Sequence, residues 1–150
     1  MQERFFDTSD LIEFLEKKDL MPEFERVIND DGPLEFTQEN ILGDYFTDKR
    51  DIRYFIIWKG RKIIFTARVF LPFGKGTTAL ITMVHTDKDY RRKGICSASL
   101  KKVFAEYPVK KWYLEVYKDN IPAFLAYLKI GFMPSSNQPN PDIIGMNFTL

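Results

Sequence analysis

The sequence predicts a single α+β domain in which a mixed β-sheet carries helices on its faces. Three observations predict it. The 150 residues hold one ordinary core and no more. The first fifty residues carry helical periodicity, and beyond residue 50 the texture changes to β-branched and aromatic runs that later alternate with helical ones. With 45% apolar residues, 15% aromatics and 14 phenylalanines, the chain buries enough surface to offset its ordering and is not intrinsically disordered.

A short apolar strand over residues 4–6 opens the chain. Thr8-Ser9-Asp10 then offers oxygens to cap a helix carrying Leu11, Phe14 and Leu15 on one face. Pro22 opens a second helix with Phe24, Val27 and Ile28, and Asp30-Asp31-Gly32-Pro33 ends it. A further short helix is expected over residues 38–45. Residues 54–58 and 62–70 read as strands joined through Lys59-Gly60-Arg61 in a hairpin. After a turn from Pro72 to Gly76, residues 77–86 form a third strand. Alternation puts Leu80, Thr82, Val84 and Thr86 on one of its faces and Ile81, Met83 and His85 on the other.

In residues 94–107 the period switches. Cys96, Leu100, Val103, Phe104 and Tyr107 recur at helical spacing, with Ser97, Lys101 and Lys102 on the opposite face, and Pro108 stops the helix. Residues 111–117 form another strand, residues 120–130 another helix ended by Gly131, and residues 132–134 and 144–150 two closing strands.

Composition excludes several functions. One cysteine rules out an internal disulfide framework and a multi-cysteine metal site, and one histidine removes the usual zinc and triad arrangements. Twenty-two basic against 21 acidic residues give a net charge of +1, which argues against a globally basic nucleic-acid binder. The amino terminus lacks the basic and apolar regions of a secretory signal, and no apolar run approaches the ~20 residues of a membrane span. A soluble cytoplasmic protein without metal is the expectation.

The most informative stretch is Asp89-Tyr90-Arg91-Arg92-Lys93-Gly94-Ile95-Cys96, between the third strand and its helix. Such a loop directs backbone N–H groups, the positive end of a helix dipole and three cationic side chains at one spot, as a pyrophosphate requires. Gly94 removes the side chain that would block close approach, and Cys96 and Ser97 are small. The competing reading is a solvated turn.

Arg91-x-x-Gly94-x-Cys96 resembles the acetyl-CoA pyrophosphate loop of the Gcn5-related N-acetyltransferases (the GNAT family), Arg/Gln-x-x-Gly-x-Gly/Ala. Cys96 departs from the pattern where the family has Gly or Ala. Val84-His85-Thr86 looks like the family's central strand, along which the pantetheine arm lies. A second block follows: Leu114-Glu115-Val116, Asn120, Ala123, Tyr127 and Gly131-Phe132 match the family's next motif in order and spacing. The resemblance covers roughly residues 54–134. It implies the acyl-CoA N-acyltransferase fold, a mostly antiparallel sheet with flanking helices, within one N-acetyltransferase domain over 1–150. Residues 1–50 then form a helical acceptor-side segment, and residues 51–150 the sheet with the acetyl-CoA-binding core.

Spacing adds physical content. On a helix of 3.6 residues per turn, Asn120, Ala123 and Tyr127 share one stripe, while Ile121, Phe124, Leu125 and Leu128 cluster roughly 100° away. The second stripe reads as the core face. The first is then free to line a cleft and to present the Tyr127 hydroxyl into it; the alternative is a tyrosine at the core margin.

The resemblance implies acetyl transfer from acetyl-CoA, a co-substrate, to a primary amine by direct attack in a ternary complex. An alkyl amine with a pKa of about 10.4 needs a base, and the departing thiolate an acid. Carried over by motif, Glu115 is the base and Tyr127 the acid, an arrangement similar to the bacterial ribosomal-protein N-terminal acetyltransferases. The cofactor-binding set is Val84, His85, Thr86, Arg91, Arg92, Lys93, Gly94, Ile95, Cys96, Ser97, Asn120, Ala123 and Tyr127. Amides around Val84 to Thr86 are placed to stabilise an oxyanion.

Other tempting residues fare worse. Cys96 at a helix start invites a nucleophilic reading, but the resemblance puts it at the pyrophosphate end of the cofactor. His85 decorates the strand or the acceptor cleft. Gly74-Lys75-Gly76-Thr77-Thr78 lacks the full phosphate-loop pattern and is followed by a strand. A non-catalytic acyl-CoA-binding or protein-interaction module on the same fold is the alternative function. Phosphate-backbone binding of nucleic acid by Arg91, Arg92 and Lys93 has no recognisable reading element beside it.

Charge is divided along the chain: residues 1–50 hold 14 acids and 6 bases, net −8, and residues 51–150 hold 7 acids and 16 bases, net +9. The division reads either as solvated faces that fell this way by chance or as a cationic amine acceptor received by the acidic segment, with Asp30, Asp31, Asp44 and Asp48 as candidates for focusing it. No membrane or nucleic-acid partner is expected. The acceptor's identity and the choice between monomer and homodimer stay open.

Overall fold

Chain reversal at Gly60, with φ +58, joins two strands rich in aromatic and β-branched residues: β2 (Ile52–Lys59) and β3 (Lys62–Phe70). Around this hairpin the computed structural model describes residues 1–29, 51–72 and 75–150. Among them the order is β1 (Gln2–Asp7), α1 (Thr8–Lys17), α2 (Met21–Ile28), β2, β3, β4 (Thr78–Thr86), a 3₁₀ turn (Lys88–Tyr90), α3 (Ile95–Glu106), β5 (Lys111–Tyr117), α4 (Ile121–Ile130), β6 (Met133–Pro134) and β7 (Ile143–Thr149). The helix expected over residues 38–45, the acids Asp30, Asp31, Asp44 and Asp48, and Gly74 of the turn before β4 lie outside the described residues.

The strands form one seven-stranded sheet in the order β1-β2-β3-β4-β5-β7-β6. Every neighbouring pair is antiparallel except β4 and β5, which run parallel and are connected through α3. The mixed, mostly antiparallel sheet expected from the sequence is the one observed.

Each face buries its own core. Leu11 and Leu15 of α1 and Phe24, Val27 and Ile28 of α2 pack on Tyr54, Ile56, Trp58, Ile63 and Met83. On the opposite face Leu100, Val103 and Phe104 of α3 and Tyr127 of α4 pack on Ala67, Ile81, Trp112, Leu114 and Val116. The side chains of a strand alternate between faces, so the β5 residues facing away from α3 and α4 are Lys111, Tyr113, Glu115 and Tyr117.

Local signals differ in detail from the sequence reading. The cap of α1 is Asp7, whose carboxylate accepts from the Asp10 amide at 2.7 Å; Thr8 is instead buried within the helix's first turn. Pro22 stands in the first turn of α2, as predicted.

The faces of α4 are the larger correction. Ile121 and Leu125, predicted for the core, are each 56% exposed. The stripe predicted to line a cleft turns inward instead: Ala123 packs against the core and Tyr127 is only 6% exposed. Only Phe124 and Leu128 of the predicted core stripe pack there. Apolar residues surround this short helix on most sides, so periodicity does not single out one face. The large tyrosine ring takes the buried position, edge-on to Phe132 with centroids 6.1 Å apart.

Candidate active site

The site begins with an interruption in β4. Thr66 of β3 faces His85, yet Arg68 faces Thr82, so β4 carries one residue more than its partner between these pairs. Met83 takes φ +52 there, and the buried Thr66 hydroxyl donates to the Met83 carbonyl at 2.9 Å. This bulge breaks the strict alternation predicted for the strand: Leu80 and Met83 pack toward α1 and α2, whereas Ile81 and Val84 pack toward the other core. Val84 therefore does not share a face with Leu80.

Where the bulge bends β4, its pairing with β5 ends. The parallel ladder joins residues 78–81 to residues 111–114 and goes no further. Beyond it β4 pairs only with β3, and Glu115 to Tyr117 pair only with β7. The two strands diverge into a wedge, with the backbone of Val84, His85 and Thr86 on one wall and Glu115 on the other.

At the end of β4 the chain turns through Lys88–Tyr90 and enters α3 at Gly94, whose φ of +77 is left-handed. No side chain caps α3, and its first internal bond runs from the Ala98 amide to the Gly94 carbonyl at 3.0 Å. The amides of Ile95, Cys96 and Ser97 thus have no partner within the helix. A Cβ on Gly94 would meet nothing within 4 Å. Arg92 and Lys93 are exposed beside it, while the exposed Arg91 donates its Nε to the Thr86 carbonyl at 2.9 Å. Free helix-start amides and cations together fit a pyrophosphate.

Across from this loop, Asn120 caps α4 by accepting from the Ala123 amide at 3.4 Å. The Tyr127 hydroxyl has no hydrogen-bond partner among the described residues. Burial pushes this hydroxyl far above the ordinary tyrosine value and the neighbouring Cys96 adds to the effect, so it stays protonated at neutral pH. Burial likewise pushes the Cys96 thiol up to about 11, which overrides the expectation that a helix start favours its thiolate. Glu115 is exposed on β5 and accepts from the Tyr113 hydroxyl at 2.9 Å. Burial, followed by this bond to the carboxylate, raises Tyr113 to about 12.

Of the predicted residues, Val84, Ile95, Cys96, Ala123 and Tyr127 pack in one apolar cluster and Arg91 bonds the Thr86 carbonyl, while Glu115 is exposed on β5. Sequence reasoning missed Tyr113, whose i, i+2 spacing to Glu115 on a strand was a usable signal. No cluster of three or more His, Cys, Asp or Glu that could hold a metal occurs among the described residues, and none of their helices is long and apolar enough to cross a membrane.

No curated protein matches the sequence. Solved structures do match the fold. The ribosomal-protein-S18-alanine N-acetyltransferase of Escherichia coli is similar with a TM-score of 0.72 at 18% identity, covering 99% of this chain and 94% of that one. Ard1 of Thermoplasma volcanium gives 0.72 at 18% identity, covering 100% and 99%. A mutant spermidine N-acetyltransferase of Vibrio cholerae gives 0.63 at 16% identity, covering 99% and 95%. Residues 17–132 match the acetyltransferase (GNAT) family, a span that takes in the bulged strand, the loop before α3 and the capped α4; the chain belongs to that family.

Proposed function

We propose that this protein transfers an acetyl group from acetyl-CoA to a primary amine, by direct attack within a ternary complex. The observation that supports the proposal is the end of β4–β5 pairing at Ile81 and Leu114, followed along β4 by the turn into the uncapped amino end of α3.

Bound acetyl-CoA supplies an acyl thioester, whose carbon forms a bond to the amine nitrogen as its bond to sulfur breaks. The protein's part is to hold and to move protons. Arg92, Lys93 and the amides of Ile95, Cys96 and Ser97 neutralise phosphate charge. The stretch Val84, His85 and Thr86 is the wall along which the pantetheine arm lies, and Asn120 caps the helix that carries Tyr127. Glu115 takes the proton that the attacking amine loses, directly or through water, and Tyr127 returns one to the departing sulfur. A buried, protonated phenol suits a donor. A buried, protonated Cys96 is a poor nucleophile, which favours direct transfer over an acyl-enzyme.

A cationic acceptor is part of the proposal. Among the described residues Glu3, Asp10, Glu13, Asp19 and Glu23 are each ion-paired within the protein. A cation would compete with these pairs for the five carboxylates.

The test is thermal stability with and without acetyl-CoA, followed by CoA release over a panel of amines. The panel includes an alanine-bearing peptide and spermidine, since alanine and spermidine appear in the names of two of the similar enzymes. Stabilisation by acetyl-CoA with turnover on at least one amine is expected. No shift and no turnover overturns the proposal; a shift without turnover on any amine reassigns the protein as a binding module.

A further inference from the structure

Asp87 lies just past the end of β4 and is 2% exposed. Its carboxylate is held from three directions. Arg26 of α2 donates to Oδ1 at 3.1 Å, the Asp89 amide donates to Oδ2 at 3.1 Å, and Lys62 at the start of β3 stands 3.2 Å from Oδ2. Its backbone is fixed as well, since its amide donates to the Ile64 carbonyl and its carbonyl accepts from Tyr90, each at 2.8 Å.

The contacts extend beyond this residue. Arg26 is gripped by Glu23, with Nε to Oε1 at 2.6 Å, and the Glu23 carboxylate also accepts from the Ile63 amide of β3 at 2.9 Å. Lys62 continues to Asp89 at 2.8 Å. One run of charge-assisted bonds thus ties α2, through Asp87, to the turn that leads into Arg91, Arg92, Lys93 and Gly94.

A buried carboxylate with this many donors fixes the backbone around it. From this we infer that Asp87 is a positioning residue: it sets the turn that aims the Arg92–Gly94 segment and the α3 amides at the phosphates of acetyl-CoA, and Arg26 makes that setting depend on α2. The inference rests on the acetyl-CoA reading above. It assigns a role in cofactor affinity to Arg26, although Arg26 lies outside the loop.

Calorimetric titration of CoA, without acceptor and therefore without turnover, tests it on the full chain well below its unfolding temperature. Asp87→Asn keeps the shape and loses the charge; Arg26→Gln removes one donor and leaves Asp87 in place. Asp87→Asn is expected to weaken CoA binding about tenfold, since small displacements of positioned groups carry losses of this size or more. Arg26→Gln is expected to weaken it less, and Arg26→Lys, which keeps a charged donor, to recover part of the loss. In steady state the KM for acetyl-CoA rises more than kcat falls. Folded variants that bind CoA as tightly as the wild type overturn the inference and leave the acetyl-CoA reading standing. A wild type that binds no CoA overturns both. Should Asp87→Asn fail to fold, Arg26→Gln with unchanged CoA affinity still overturns the inference.

Discussion

The side chain of Tyr113 lies across the α-carbon of Gly145 on the neighbouring strand, so closely that a methyl group there would collide with the phenolic oxygen that bonds Glu115. Gly145 itself is clamped, its amide donating to Gln138 at 2.9 Å and its carbonyl accepting from the Ser135 amide at 2.8 Å. Gly145→Ala must therefore move the tyrosine rather than the strand. We expect the substitution to cost about 1–3 kcal/mol of stability and to lower transfer activity, while Tyr113→Phe lowers activity with a smaller loss of stability. Chemical denaturation and initial rates on the two variants check this. Wild-type rates in both would separate Tyr113 from the reaction.

Tyr127→Phe keeps the buried ring and removes the proton donor. CoA binding and melting temperature should stay near wild type while kcat falls by about 10²-fold or more. Titration and steady-state rates on one preparation make the comparison, and an unchanged kcat would remove Tyr127 from the acid role.

Gly94→Ala separates backbone strain from packing. The new methyl meets no neighbour, so its cost comes from the left-handed φ, about 1–2 kcal/mol. Because Gly94 is the N-cap directly before the uncapped α3 amides, we expect the KM for acetyl-CoA to rise by more than the melting temperature alone would suggest. A KM equal to the wild type would place the phosphates elsewhere.

Acid should destabilise the fold partly through Asp87. Burial alone would raise its carboxyl, but bonds from Arg26, the Asp89 amide and Lys62 outweigh burial and hold it below the ordinary value. With the folded pKa below the unfolded one, the stability this group provides is complete above the unfolded value, about 3.9. It is lost as pH falls through the folded value. Asp87→Asn should flatten that acid limb in denaturation measured from pH 7 downward; parallel curves for variant and wild type would refute the linkage.

Cys96 should resist alkylation at pH 8 in the folded protein and react on unfolding, since its thiol is pushed to about 11. Mass spectrometry after incubation with acetyl-CoA alone should find no acetylated cysteine. An acetyl adduct at Cys96 would contradict direct transfer.

The elements legible in the sequence were those whose residues obey one period. β5 was predicted at its observed bounds because Trp112, Leu114 and Val116 alternate cleanly with polar or exposed neighbours. The loop before α3 was legible because a glycine that must adopt a left-handed turn stands beside clustered cations. The bulge at Met83 was not, since an added residue in a strand leaves no compositional trace and nothing about methionine foretells a positive φ. The inward turn of Tyr127 was hidden by a helix apolar on most sides. Asp87 was hidden for another reason: its partners Arg26 and Lys62 are distant in the chain, and only the fold brings them together.

The bulge in β4 makes the wedge a matter of counting. The divergence of Val84, His85 and Thr86 from β5 follows from one more residue on β4 than on β3, whatever side chain that residue carries. A change of residue at Met83 alters packing, whereas a change in the number of residues would return β4 to a straight course beside β5. This stretch of chain is thus intolerant of a change in length, the reverse of an ordinary surface loop.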